Sequence, residues 1–84
     1  MREYAVIFGQ TRTGWSAHVP DLPGLAAVGS TFEETEQLIQ EALEIHLGSM
    51  LEDRDPIPEP ATRVGTVKTD MVEKWPKYHL AKTA

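Results

Sequence analysis

Hydrophobic and polar positions follow two rhythms along the chain, first a period of two and then a period near 3.6. In "EYAVIFG" (residues 3–9), Tyr4, Val6 and Phe8 fall on one face of an extended strand, with Ala5 and Ile7 on the other. Both faces are apolar, which predicts a strand that is central or covered on both sides. The polar, glycine-bounded "GQTRTG" (residues 9–14) predicts a hairpin turn. Trp15, Ala17 and Val19 then alternate with Ser16 and His18, the pattern of a strand with one buried face.

The stretch "VPDLPGLAAVG" (residues 19–29) concentrates turn chemistry. Pro20 has no amide hydrogen and ends a ladder or confines it to a free edge. The Asp21 carboxylate is suited to accept from amides just ahead of it, in an Asx-type turn. Pro23-Gly24 suits the centre of a type II turn, with proline fixing the first φ and glycine taking the positive one. Leu25 to Gly29 follow as a short third strand, so the turns make a corner between antiparallel strands.

From Ser30 the rhythm changes to a helical one. Thr31 with Glu34 spells a capping box, with Ser30 and Glu33 as its one-residue alternative. At about 100° per residue, Phe32, Thr35, Leu38, Ile39, Ala42, Leu43, His46, Leu47 and Met50 form one broad stripe. Glu33, Gln37, Gln40, Glu41, Glu44 and Gly48 cover the opposite side. The pattern predicts a long helix ending near Leu51 or Glu52, packed on a sheet with a solvated acidic back.

Prolines 56, 58 and 60 forbid helix and predict an extended, polyproline-like crossover. "TRVGTVK" (residues 62–68) reads as a short fourth strand through Val64 and Val67. The crossover is long enough to lay that strand parallel to the first. Asp70 is placed to cap one helical turn that stops near Pro76. Met71, Val72, Trp75, Tyr78 and Leu80 are too apolar for a free tail and predict packing on the domain or on a neighbouring subunit. The last residues, "AKTA", are expected to fray. The fold class expected is α+β in the order β-β-β-α-β: an antiparallel three-stranded meander, one long helix on one face, and a fourth strand parallel to the first. Residues 1–68 form the domain and residues 69–84 a C-terminal extension.

Length and composition sharpen this picture. A chain of 84 residues is one small domain that buries only about 60–65% of its unfolded surface. It has no cysteine, hence no disulfide and no thiolate zinc site, which fits a reducing cytoplasm. A small domain without staples gains stability by association, so a homo-oligomer, dimer or tetramer, is expected. Trp75 and Tyr78 are the expected oligomer contacts. Thirteen acids against eight bases give a net charge of −5. That balance argues against direct DNA or other nucleic-acid binding and suits a basic protein partner. The N-terminal apolar run is too short for a signal peptide, and no apolar run approaches the roughly 20 residues of a membrane span.

No residue pattern assembles a reaction centre. His18 has Ser16 on its face, but no orienting acid. His46 lies in the apolar helix stripe, flanked at four-residue spacing by Ala42 and Met50 rather than by metal ligands. The glycines form no phosphate-binding motif. No metal and no cofactor is expected, and the chain does not read as an enzyme. Trp15, Asp21 and Leu22 are the candidate partner contacts, because tryptophan is enriched at binding hot spots and Asp21 sits in a tight corner.

The segments "YAVIF", "GWSAHVPDLPGL", "GSTFEET", "EALEIHL" and "PIPEP", in this order and spacing, resemble the HicB-type antitoxin family, including its stand-alone HicB-like members. The likeness spans about Tyr4 to Pro60. It implies a truncated ribonuclease H-like fold without the acidic catalytic cluster. It also implies binding and occlusion of HicA, a small basic ribonuclease that cleaves messenger RNA. Many such antitoxins continue into a DNA-binding module; residues 69–84 are too short for one. A stand-alone oligomeric domain with a regulatory or ligand-binding role is the alternative. A residual nuclease is disfavoured, since fold does not dictate function and the predicted strands carry few acids.

Overall fold

The computed structural model describes residues 1–74. Three strands form one antiparallel sheet in the order β1-β2-β3: β1 at Ile7–Gln10, β2 at Trp15–His18 and β3 at Ala26–Gly29. Helix α1 spans Phe32–Glu52, and a single turn, α2, spans Met71–Lys74. The α+β class and the meander agree with the sequence pattern.

The central strand is β2, and β1 lies at an edge. Ile7 pairs with His18 and Phe8 with Ala17 on one side; Ala17 pairs with Ala27 and His18 with Ala26 on the other. The expectation that the first strand is central, or covered on both faces, is therefore corrected: Ile7 is 49% exposed. The ladder also begins later than the apolar run. In this register Val6 would face Val19 and Ala5 would face Pro20. The Val19 amide faces β3, donating to the Leu25 carbonyl at 3.3 Å, and the next position toward β1, Pro20, has no proton to give. Tyr4 to Val6 are left extended and outside the ladder.

α1 lies across one face of the sheet. Ala17, Val19, Leu22, Leu25 and Ile39 form the buried apolar core, with Tyr4, Val6, Phe8, Ala27, Ala42, Leu43, Leu47 and Met50 packed around it. Phe32 stacks at a tilt on Phe8, with ring centroids 4.6 Å apart, and meets Trp15 edge-on at 5.4 Å. Thr35 is fully buried, and its hydroxyl donates to the Thr31 carbonyl at 2.8 Å. Leu38, counted in the apolar stripe by periodicity, falls outside the contact and is 38% exposed.

The helix ends are built by local chemistry. Thr31 is the N-cap, and its hydroxyl accepts from the Glu34 amide at 3.0 Å. The Glu34 carboxylate reaches back to the Ser30 amide, one residue earlier than the simplest capping box. At the other end Arg54 takes φ = 59°. Its amide donates to Leu51, and the Asp55 amide donates to Met50, the bond pair of a Schellman motif. Pro56 follows and bars any continuation.

The fourth strand is not formed. No residue from Ala61 to Thr69 belongs to a strand, and each of them is exposed. Val64 and Val67 are 83% and 94% exposed. The segment passes beside the unpaired start of the first strand. An open groove of about 310 Å³, lined by Ala5, Val6, Ile7, Arg63, Val64 and Gly65, separates the two. Val64 and Val67 stand three residues apart, so in a strand they point to opposite faces. Neither face then gains enough burial to fix a register, and Gly65 between them weakens the strand further. The turn at α2 forms as expected, with Asp70 just before it accepting the Glu73 and Lys74 amides on its carbonyl, and the Thr69 hydroxyl accepts from the Met71 amide. The Asp70 side chain instead pairs with Lys74 at 3.3 Å. Met71 and Val72, expected to pack, are 44% and 63% exposed. Trp75, Tyr78 and Leu80 lie outside the described residues.

Candidate interaction surface

The "VPDLPG" corner is two turns in succession. The Leu22 amide donates to the Val19 carbonyl at 3.0 Å, and the Leu25 amide to the Leu22 carbonyl at 3.1 Å. Pro23 and Gly24 occupy the centre of the second turn, and Gly24 has φ = +89°, as a type II turn requires. The doubled turn sends Leu22 and Leu25 inward; they are 2% and 8% exposed.

It also turns Asp21 outward. This carboxylate makes no Asx turn with its neighbours. It reaches 40 residues along the chain, accepting from the amides of Ala61 at 3.1 Å and Thr62 at 3.2 Å and from the Thr62 hydroxyl at 2.9 Å. Those donors hold the Asp21 carboxyl below its usual value of 3.8, the Thr62 amide first and the Ala61 amide second. Asp21 is thus a clamp between the corner and the end of the proline crossover. Two further contacts fix the same crossover. The Tyr4 hydroxyl donates to the Pro58 carbonyl, and Arg2 pairs with Glu59 at 2.7 Å. Beyond Thr62 the chain leaves the domain surface exposed.

The expected contact residues do not form one patch. Trp15 starts β2 and packs on Phe32, whereas Asp21 lies past the far end of that strand. The strand alone, three rises of about 3.3 Å, separates them by about 10 Å. Leu22 is a core residue, not a surface one: the doubled turn buries it, so its expected contact role is corrected to packing. Two broad exposed surfaces stand out among the described residues. The sheet face away from α1 shows Ile7, His18, Ala26 and Val28 around a half-buried Ser16, with Val28 70% exposed. The back of α1 shows Glu33, Glu36, Gln37, Gln40, Glu41 and Glu44. Gln37 donates to Glu41, and Gln40 to Glu44. Sequence reasoning found the acidic back by period. It missed the Asp21 clamp, because nothing local marks partners 40 residues away.

Among the described residues no group of three or more His, Asp or Glu side chains gathers as a metal site would require. Nor is any helix among them long and apolar enough to cross a membrane.

A three-stranded meander under one capped helix, with an open sheet face and an acidic helix back, defines a small α+β domain whose distinctive surfaces face outward. The chain belongs to the HicB_like antitoxins of bacterial toxin-antitoxin systems, whose family model matches residues 4–79. Antitoxin HicB 2 of Photorhabdus laumondii is 38% identical over 60 residues, covering 71% of this chain and 43% of that protein. The UPF0150 protein ssr1765 of Synechocystis is 39% identical over 46 residues, covering 55% of this chain and 58% of that protein. A chain of the HicA3 and HicB3 toxin-antitoxin complex superimposes with a TM-score of 0.61 at 25% identity, covering 71% of this chain and 70% of that one. The match thus spans about half the length of these curated relatives.

Proposed function

We propose that this domain is the neutralising part of a toxin-antitoxin pair and that it binds and occludes a small basic HicA-type messenger-RNA ribonuclease. The likeness to a chain of a HicA3 and HicB3 complex is the observation that carries this reading. Charge supports it. Residues 1–60 hold three arginines against eleven aspartates and glutamates, and complementary potentials speed and orient association with a basic partner. No side chain does chemistry in this account. Inhibition is steric, through cover of the toxin's active surface.

Trp15 and Asp21 are the proposed contacts that remain accessible. Since they lie at opposite ends of β2, a partner touching both spans the length of the sheet. Residues 69–84 are proposed as an extension outside the domain proper, the site of action as the cytoplasm, and the assembled form as a homo-oligomer. Trp75 and Tyr78 are proposed contacts between copies. Co-expression with the product of the adjacent open reading frame tests the toxin reading. Growth arrest by that product alone, relieved when this chain is co-expressed and co-purifies with it, is expected. A harmless neighbour, or a toxic one that neither binds nor is relieved, rejects the reading.

A further inference from the structure

The flank of α1 carries a stripe that the domain leaves uncovered. Leu38 and Ile45 are two helical turns apart and share one face. They are 38% and 73% exposed. At 100° per residue, Glu34, Glu41 and Glu52 fall within about 60° of them, and all three are exposed. The stripe is therefore aliphatic at its centre and acidic along its rim. It lies on the side of α1 away from Gln40, Leu43 and Leu47, which border Met1, Arg2 and Tyr4.

The arm beyond the Asp21 clamp has the complementary character. Val67, Met71 and Val72 are 94%, 44% and 63% exposed; beside them Lys74 is paired with Asp70, Glu73 is exposed, and Lys68 is exposed next to Val67. Residues 61–84 carry five lysines and arginines against two acids, the reverse of the three against eleven in residues 1–60. An apolar segment whose Lys68 is exposed, in a stretch of net positive charge, thus follows a domain whose exposed apolar stripe has an acidic rim. The clamp fixes where the arm leaves, at Thr62, close to the start of the first strand and on the opposite flank from the stripe.

We infer that the arm of one copy docks on the Leu38–Ile45 stripe of a second copy, so that two chains exchange arms about a two-fold axis. This deepens the self-association proposed above by naming its surface. It does not depend on the toxin. Val67 and Met71 cover Leu38 and Ile45, and Lys68 faces the Glu41 side of the stripe. Such a contact is isologous: each dimer contains it twice, so any change at one side chain counts twice in the assembly.

The test uses the full chain without toxin and measures mass by light scattering across a concentration series. A dimer is expected. Glu41→Lys and Lys68→Glu should each weaken it about tenfold at low salt, a few-fold at each of the two contacts. The double variant, with its charges exchanged, should recover most of that loss. Ile45→Asp should leave a monomer with an unchanged helical circular dichroism spectrum.

Because the chain has no cysteine, a disulfide gives an independent readout. An equimolar mixture of Ile45→Cys chains and Val67→Cys chains should give a cross-linked dimer between unlike chains. A monomer at all concentrations overturns both self-association and the arm contact. A dimer that ignores the charge variants overturns the arm contact alone. An Ile45→Cys, Val67→Cys double variant that closes within one chain, with no cross-link in the mixture, means that the arm folds on its own domain and also overturns it. Cross-linking of the stripe to the co-expressed toxin, with the free chain monomeric, assigns the stripe to the toxin instead.

Discussion

Leu22→Ala separates two roles of the "VPDLPG" corner, as part of the core and as part of an interface. Leu22 is 2% exposed and among the largest fully buried side chains. Truncation removes about three methylene equivalents, worth roughly 2.4 kcal/mol of transfer free energy at about 0.8 kcal/mol each. A cavity term adds to this, because the site cannot easily collapse. The Leu22 amide and carbonyl are both committed to turns, to Val19 and from Leu25. Large-to-small changes of this kind cost about 2–5 kcal/mol, and about 3 kcal/mol is expected here. A domain of this length has a total stability of roughly 4–13 kcal/mol, and the thin core, with five buried apolar side chains among the described residues, places it low in that range. The melting temperature should fall by about 12–24 °C. Urea and thermal unfolding followed by circular dichroism read the loss directly. At a temperature where the variant is still folded, toxin affinity should be unchanged. A stability loss below about 1 kcal/mol, or weaker binding by fully folded variant, refutes the assignment of Leu22 to the core.

Gly14→Ala should unfold or severely destabilise the domain, by more than about 2 kcal/mol, since the added Cβ would collide with the Gly29 carbonyl oxygen and meet Ser30 Cα at 3.0 Å; wild-type stability in a urea melt would contradict this. Arg54→Gly should raise stability by about 1 kcal/mol, because arginine at φ = 59° carries a left-handed strain that glycine lacks; an equal or lower melting temperature counts against it. Asp21 supplies the pH prediction. Its folded pKa lies below the usual 3.8, so the clamp contributes stability above 3.8 that is lost as pH falls through the lower folded value. The amide proton shifts of Ala61 and Thr62 should titrate together with a midpoint below 3.8, and in Asp21→Asn that titration should vanish; a midpoint at or above 3.8 means that the clamp is not formed in solution.

Where local chemistry decided an element, the sequence showed it. The alternation of Trp15, Ala17 and Val19 against Ser16 and His18 placed β2. Pro23-Gly24 placed the type II turn. Thr31 and Glu34 opened α1, and the stripe from Phe32 to Met50 set its length. Each of these signals lies within one turn or one strand of its effect. The misses depend on distant partners. The ladder of β1 starts at Ile7 because Pro20, the next bonding position opposite it, has no amide proton, a fact of the neighbouring strand and not of "EYAVIF". "TRVGTVK" has strand composition, yet whether it pairs depends on the edge of β1 and on what Val64 and Val67 can cover there. Asp21 reads locally as a turn residue, but its partners at Ala61 and Thr62 meet it only after α1 and the crossover have folded back. Leu22 looked available for binding because the first of the two turns, closed by its amide on the Val19 carbonyl, is not visible as a pattern. For the candidate surface, the acidic helix back followed from period and charge, whereas the separation of Trp15 from Asp21 followed only from the register.

Direct binding that masks a ribonuclease is open to a direct assay. Purified product of the adjacent open reading frame should be titrated with this protein while messenger-RNA cleavage is followed on a gel. Cleavage should fall in proportion to added protein and stop at a fixed stoichiometric ratio, with a stable complex isolated at that ratio. Cleavage that continues undiminished at a large excess of this protein contradicts it.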